Sequence, residues 1–265
     1  LQIIDVANPV SPLLIETTMP SRQSFYSIEV AGNTAYVGAL DNVFAYDVSE
    51  PAKVFEQGRA FVVESEVTDL EIGPEGNYLH IAGDYEGFVI TTTAPEPVSR
   101  SYTTGADASE VSISNGITYT GGNDGSITIY RSTGLEDAPI KLVNYPLFSN
   151  PVTALDVSAG VAWAADGNLA RLKVDNPATP ETDSTIMTPG SVNAIEATST
   201  NVYVADNDHG MQLILPDSRL HEIYAGARPG GRVLDLKQED QYLYLLRENS
   251  LVIMKSVTRY LPTRQ

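Results

Sequence analysis

The sequence predicts an all-β protein of the β-propeller class, and three observations carry that expectation. One pattern recurs six times: a short alternating strand, a tight turn, a strand bearing Tyr or Trp, a turn with Asp or Gly, and a third strand. The copies lie at 27–48, 69–90, 110–130, 154–174, 194–214 and 233–254. Apolar residues alternate with period two, as at Tyr26, Ile28 and Val30, and no helical period is present. Anchored on Val30, Ile72, Ile113, Val157, Ala197 and Leu236, the copies are spaced by 42, 41, 44, 40 and 39 residues. That matches the period of roughly 40 residues at which propeller blades repeat.

Each copy reads as four strands, placed in the first at 26–31, 34–39, 43–48 and 53–59. Gly32-Asn33 and Asn115-Gly116 supply left-handed turn residues between first and second strands. Asp124-Gly125, Asp166-Gly167 and His209-Gly210 do the same between second and third strands. With their fourth strands the repeats run near 27–59, 69–103, 110–144, 154–186, 194–224 and 233–257, in one domain over 1–265. The chain ends soon after a third-type strand, SLVIMK, and begins with another, LQIIDV, followed by a fourth-type strand, PLLIETT. Residues 1–18 are therefore expected to complete the last blade and close the ring. Six four-stranded blades is the expectation and seven the alternative, because one third-type strand is left over. The start at Leu1 fits either removal of upstream residues or a piece of a longer protein.

Composition excludes several function classes. Of 265 residues 42% are hydrophobic and 19% charged, which is a folded composition. Sixteen basic residues stand against 34 acidic ones, a net charge of -18 that repels nucleic acid and anionic lipid. Cysteine is absent, which removes disulfides, thiolate nucleophiles and metal–thiolate centres. No apolar run approaches the roughly 18 residues of a membrane span, so no membrane insertion is expected. No G-x-S-x-G, H-E-x-x-H or phosphate-loop stretch is found.

Leu1–Asp5, followed by Asn8, Pro9 and Pro12, resembles the LVIVD-repeat family, in which an apolar strand ending in Asp enters an Asn-Pro turn before another apolar strand. Leu172–Asp175 with Asn176, Pro177 and Pro180 is a second match. Looser copies are Tyr46–Val48 with Pro51 and Thr93 with Pro95 and Pro97, and the stretches YVGALDN and YVADNDHG are similar to the family's YVAD segment. The resemblance implies a β-propeller that is extracellular, at the cell surface or periplasmic. It carries over no catalytic residue.

Candidate site residues fall into three groups. Glu66, Asp69, Glu110, Asp124 and Asp206 sit at strand starts and turn tips. Converging carboxylates with loop carbonyls suit Ca²⁺, which takes six to eight oxygens; the plainer reading is that Asp is a good turn residue. The residue before each anchor is acidic in five copies, Glu29, Glu71, Asp156, Glu196 and Asp235, with Ser112 the exception. Acids are depleted in strand interiors, and with the first strand innermost these would ring a channel. Arg22, Phe25, Tyr26, Arg228 and Arg232 form the third group, a candidate partner-binding surface of the residue types enriched at binding hot spots. His80, His209 and His221 lie in different copies and suggest no shared site. The function expected is a protein-interaction or structural module without catalysis, its partner a protein, a glycan or neighbouring copies in a surface assembly. The alternative is a Ca²⁺-dependent hydrolase or lactonase with metal in the channel.

Overall fold

A computed structural model describes residues 1–17, 24–62, 65–84, 87–93, 99–103, 107–132, 138–215, 223–227 and 231–256. Every regular element among them is a β-strand, and none is a helix long and apolar enough to cross a membrane. The chain divides into two compact units, Leu1–Val152 with Asn176–Pro180, and Thr153–Asp175 with Glu181–Gln265.

In the first unit, β1 (Gln2–Asp5) pairs with β2 (Leu13–Thr17) in a two-stranded sheet. Three four-stranded antiparallel sheets follow, each in sequence order. They are β3 (Phe25–Ala31), β4 (Thr34–Ala39), β5 (Asn42–Asp47) and β6 (Phe55–Val62); β7 (Val67–Ile72), β8 (Tyr78–Gly83), β9 (Gly87–Thr92) and β10 (Ser99–Thr103); and β11 (Ala108–Ser114), β12 (Ile117–Gly122), β13 (Ser126–Arg131) and β14 (Ile140–Pro146).

The second unit holds two such sheets and a shorter one. They are β15 (Ala154–Ser158), β16 (Val161–Ala165), β17 (Leu169–Lys173) and β18 (Glu181–Ile186); β19 (Ala194–Ala197), β20 (Val202–Ala205), β21 (Met211–Ile214) and β22 (Ile223–Ala227); and β23 (Val233–Glu239), β24 (Tyr242–Arg247) and β25 (Ser250–Lys255).

The expected strands of the first repeat therefore form within two or three residues of their sequence positions. The Asp5 carboxylate accepts from the Ala7 amide at 2.8 Å, and the Ser11 amide donates to the Asn8 carbonyl at 3.0 Å. This turn folds β2 back on β1, so the two satisfy each other, while the sheet of β23 to β25 has three strands. Pairing of residues 1–18 with the last sheet is not among the strand pairs of the described residues.

Successive sheets within a unit stack through apolar faces. Val67, Leu70, Leu79 and Ile81 pack on Tyr36, Val43 and Ala45 of the preceding sheet. The close approach needs small residues on the second strand. A Cβ on Gly38 would lie 2.6 Å from Val67 Cγ1, and one on Gly121 2.6 Å from Val152 Cγ1. Ala82 meets Ala108 and Val111 in the same way, as do Ala165 with Val192 and Ala205 with Val233.

Candidate functional site

The first strand of each sheet is where the sequence concentrates polar side chains that a strand interior ordinarily lacks. A bulge before the second paired residue in β3, β7, β11 and β23 falls at Tyr26, Thr68, Ser109 and Leu234. Thr153 and Asn193 hold the matching positions ahead of β15 and β19, their amides bonded to the carbonyls of Ala165 and Ala205. Four of these residues donate to the backbone that leads into the next repeat. Thr68 Oγ1 reaches the Ala108 carbonyl at 3.0 Å and Ser109 Oγ the Val152 carbonyl at 2.8 Å. Thr153 Oγ1 reaches the Val192 carbonyl at 3.0 Å and Asn193 Nδ2 the Val233 carbonyl at 3.3 Å.

The strand carboxylates act at the same junctions. Asp69 Oδ2 accepts from the Val111 amide at 3.1 Å, while Oδ1 accepts from Ser27 Oγ at 3.1 Å, so one side chain touches three sheets. In the second unit Asp156 Oδ2 accepts from the Ala197 amide at 2.6 Å, and Glu196 Oε1 from the Gln238 amide at 3.3 Å. Burial pushes the Glu196 carboxyl above its usual pKa against the pull of Lys237, whose Nζ stands 3.1 Å away. These bonds cap amides that project from the edge of a first strand, where no fifth strand pairs with them.

The acidic row is corrected at its last member. Glu196 stands opposite Tyr203 and Lys237 opposite Tyr244, so Lys237 and not Asp235 occupies the row of Glu29, Glu71, Asp156 and Glu196. The anchor of the sixth copy is Gln238, two residues beyond Leu236, as the pairing of Lys237 with Tyr244 shows. Asp235 instead matches Ser27, Asp69 and Glu110, with burial raising its pKa.

The five expected metal ligands are engaged separately. Glu66 takes the hydrogen bond of the Tyr26 hydroxyl, which holds that phenol above its usual pKa. Asp69 serves the junction just described, and Glu110 is half-buried on β11 opposite Gly121. Asp124 accepts from Ser126 Oγ at 2.6 Å and its amide at 2.9 Å, which lowers the carboxyl pKa. Asp206 is fully buried, accepting from the Gly190 amide and Gln212 Nε2, both at 3.0 Å. Among the described residues, no three of His, Asp and Glu are grouped so as to hold a metal ion.

Of the expected partner-binding residues, Arg22 and Arg228 lie outside the described residues. Phe25 is half-buried and meets Phe44 edge to face at 6.3 Å, whereas Tyr26 is exposed. Arg232 is a hub on the second unit: Nε donates to Asn207 Oδ1 at 2.6 Å, Asp208 lies 3.5 Å away and Glu248 3.4 Å.

The hydroxyl and amide row of Thr68, Ser109, Thr153 and Asn193 is one that sequence reasoning missed. Its signal was the spacing, since these residues are separated by 41, 44 and 40 positions, as the anchors are. His80 belongs to another row, the buried ring of the first five second strands: Tyr36, His80, Tyr119, Trp163 and Tyr203. It stacks on Phe88 at 6.2 Å, with Thr118 Oγ1 3.3 Å from Nδ1, and burial lowers its pKa to about 4.

Repeated three- and four-stranded antiparallel sheets with this junction define a β-propeller module. At its N-terminal end the LVIVD repeat matches residues 1–19 and 25–60, in agreement with the resemblance carried by Leu1–Asp5 and its Asn-Pro turn. No curated protein sequence matches the chain. Among solved structures it is similar to a mitotic checkpoint complex, with a TM-score of 0.72 and 13% identity over 91% of this chain and 81% of that one. It is also similar to the computationally designed Ika8 protein, with a TM-score of 0.64 and 13% identity over 92% and 74% of the two chains. At that identity the likeness is one of fold.

Proposed function

We propose that the protein is an extracellular, cell-surface or periplasmic β-propeller module that binds a protein or glycan partner and performs no catalysis. The observation that supports this most is the use made of its strand carboxylates. Asp69, Asp156 and Glu196 are turned onto backbone amides of adjoining sheets, the arrangement of a scaffold. The location is what the resemblance to the LVIVD-repeat family, matched at residues 1–19 and 25–60, implies. The acidic surface disfavours nucleic acid as partner.

The test pairs an activity assay with surface labelling. Purified protein is given aryl esters and lactones with millimolar Ca²⁺ and then with EDTA, and hydrolysis at the buffer rate is expected in both. A Ca²⁺-dependent rate, abolished in Asp69→Asn, would replace the scaffold reading with the hydrolase alternative. A membrane-impermeant label should reach the protein on intact cells, or in the periplasm after the outer membrane is opened. Protection in both would overturn the location.

A further inference from the structure

We propose that Met187 is a site of reversible oxidation, at which a peroxide converts the thioether to the sulfoxide and leaves the fold intact.

Exposure separates the methionines of the second unit. Met187, on the loop between β18 and β19, is 82% exposed, whereas Met211 on β21 is 7% exposed. Met211 packs with Tyr203, Leu213 and Val233, and Met254 lies partly buried against the same cluster. An exposed sulfur is open to oxidant in the native state, and a buried one only when the structure opens locally. Met19 lies outside the described residues.

The loop that presents Met187 is fixed. Ile186 and Val192, at its two ends, are buried in one apolar cluster. Between them Thr188 Oγ1 donates to the Gly167 carbonyl at 3.2 Å and to the Gly190 carbonyl at 3.1 Å. The Gly190 amide donates to the buried Asp206 carboxylate at 3.0 Å. A Cβ at Gly190 would lie 2.6 Å from the Asp206 carbonyl oxygen, so the loop backbone is seated directly on the following turn. None of these contacts uses the Met187 side chain. A sulfoxide oxygen there stays hydrated, and folding strands no polar group. At Met211 the same oxygen would enter the apolar cluster unpaired, which is destabilising. Leu147 holds the matching place in the loop of equal length after β14, so the turn itself does not require a thioether.

The step balances without a cofactor. The Met187 sulfur supplies an electron pair to hydrogen peroxide, and the O–O bond breaks. One oxygen forms the S–O bond and the other leaves as water, so sulfur loses two electrons and the peroxide gains them. Methionine sulfoxide reductases return the thioether, one enzyme for each epimer.

The experiment treats the whole chain with a small excess of hydrogen peroxide, quenches it at intervals and follows the gain of one oxygen in each methionine peptide by mass spectrometry. Met187 is expected to oxidise about tenfold faster than Met211, or more. Tm should be unchanged once Met187 is converted and Met211 is not, and the two reductases should restore the parent mass. Met187→Leu treated alike reports what the other three methionines contribute to any change in Tm. Equal rates at Met187 and Met211 would mean that oxidation follows opening of the chain, and would overturn the proposal. A fall in Tm that the treated Met187→Leu protein does not show would overturn it as well. Neither result bears on the ester and lactone assays or on surface labelling, so the two readings fail independently.

Discussion

Asp69 of the first unit ties adjacent sheets from a position two residues earlier on its strand than Asp156 and Glu196 of the second. Asp69 stands one position after the bulge residue Thr68, whereas Asp156 and Glu196 stand three positions after Thr153 and Asn193. Side chains two apart on a strand share a face, so both placements bring an oxygen to an amide at the same edge. The comparison teaches that the junction requires an acceptor on that edge and tolerates a shift in its height. The donor does not shift: Thr68, Ser109, Thr153 and Asn193 hold one position and aim at one carbonyl each.

Asp69 should be the most costly acid to remove. Asp69→Ala breaks the bonds from Ser27, the Leu70 amide and the Val111 amide. With about 1–3 kcal/mol for an orphaned buried partner, a loss of about 3 kcal/mol is expected, or a fall in Tm near 10 °C for a chain of this size. Asp156→Ala, with the Ala197 and Val157 amides to orphan, should cost less. An equal cost for the two would remove the distinction between the units.

The next effect is one of pH and centres on His80 in the first unit. His80 has a folded pKa near 4, below its unfolded value of roughly 6.5. The native state then binds fewer protons, so stability is full above pH 6.5 and falls as pH drops toward 4. The total is about 3 kcal/mol at 1.36 kcal/mol per unit. Glu196 and Asp235 in the second unit have raised pKa values and act oppositely, gaining stability on protonation as pH falls. His80→Tyr, the residue of the matching positions Tyr36, Tyr119 and Tyr203, should flatten the acid limb in urea melts between pH 7 and pH 4.5. An unchanged limb would place the acid sensitivity elsewhere.

Smaller effects test the fixed parts of the junction. Gly38→Ala places a methyl 2.6 Å from Val67 Cγ1 and should cost about 2 kcal/mol by overpacking. Thr68→Val removes one donor from two carbonyls at close to constant shape, for about 1 kcal/mol. Arg232→Ala, at an exposed ion-pair hub, should change stability by under about 1 kcal/mol. A large loss there would mean the hub holds its turn in place.

Strand positions and turns are legible in the sequence because each is local. Period-two alternation around Ile28 and Val30 and the glycines after Asn115 and Asp124 leave marks within a few residues. The junction is only half legible. Its acids stand out as exceptions in strands, but its donors are Thr, Ser, Thr and Asn, common residues that share a function and no single identity. Asp235 reads into the wrong row because alternation repeats every two residues, so the apolar Leu236 serves as an anchor as readily as the true position two residues on. The pairing of β1 with β2 depends on where the Asp5–Ser11 turn directs the chain, and alternation within either strand carries no record of its partner.

Every donor in the row at Thr68, Ser109, Thr153 and Asn193 points toward the following repeat, which gives the chain a grammar as well as a shape. An internal repeat carries both halves of the junction, an acceptor for the repeat before it and a donor for the repeat after it. It can be duplicated or deleted, and its neighbours still match across the seam. Length in such a chain is thus free to change by whole internal repeats.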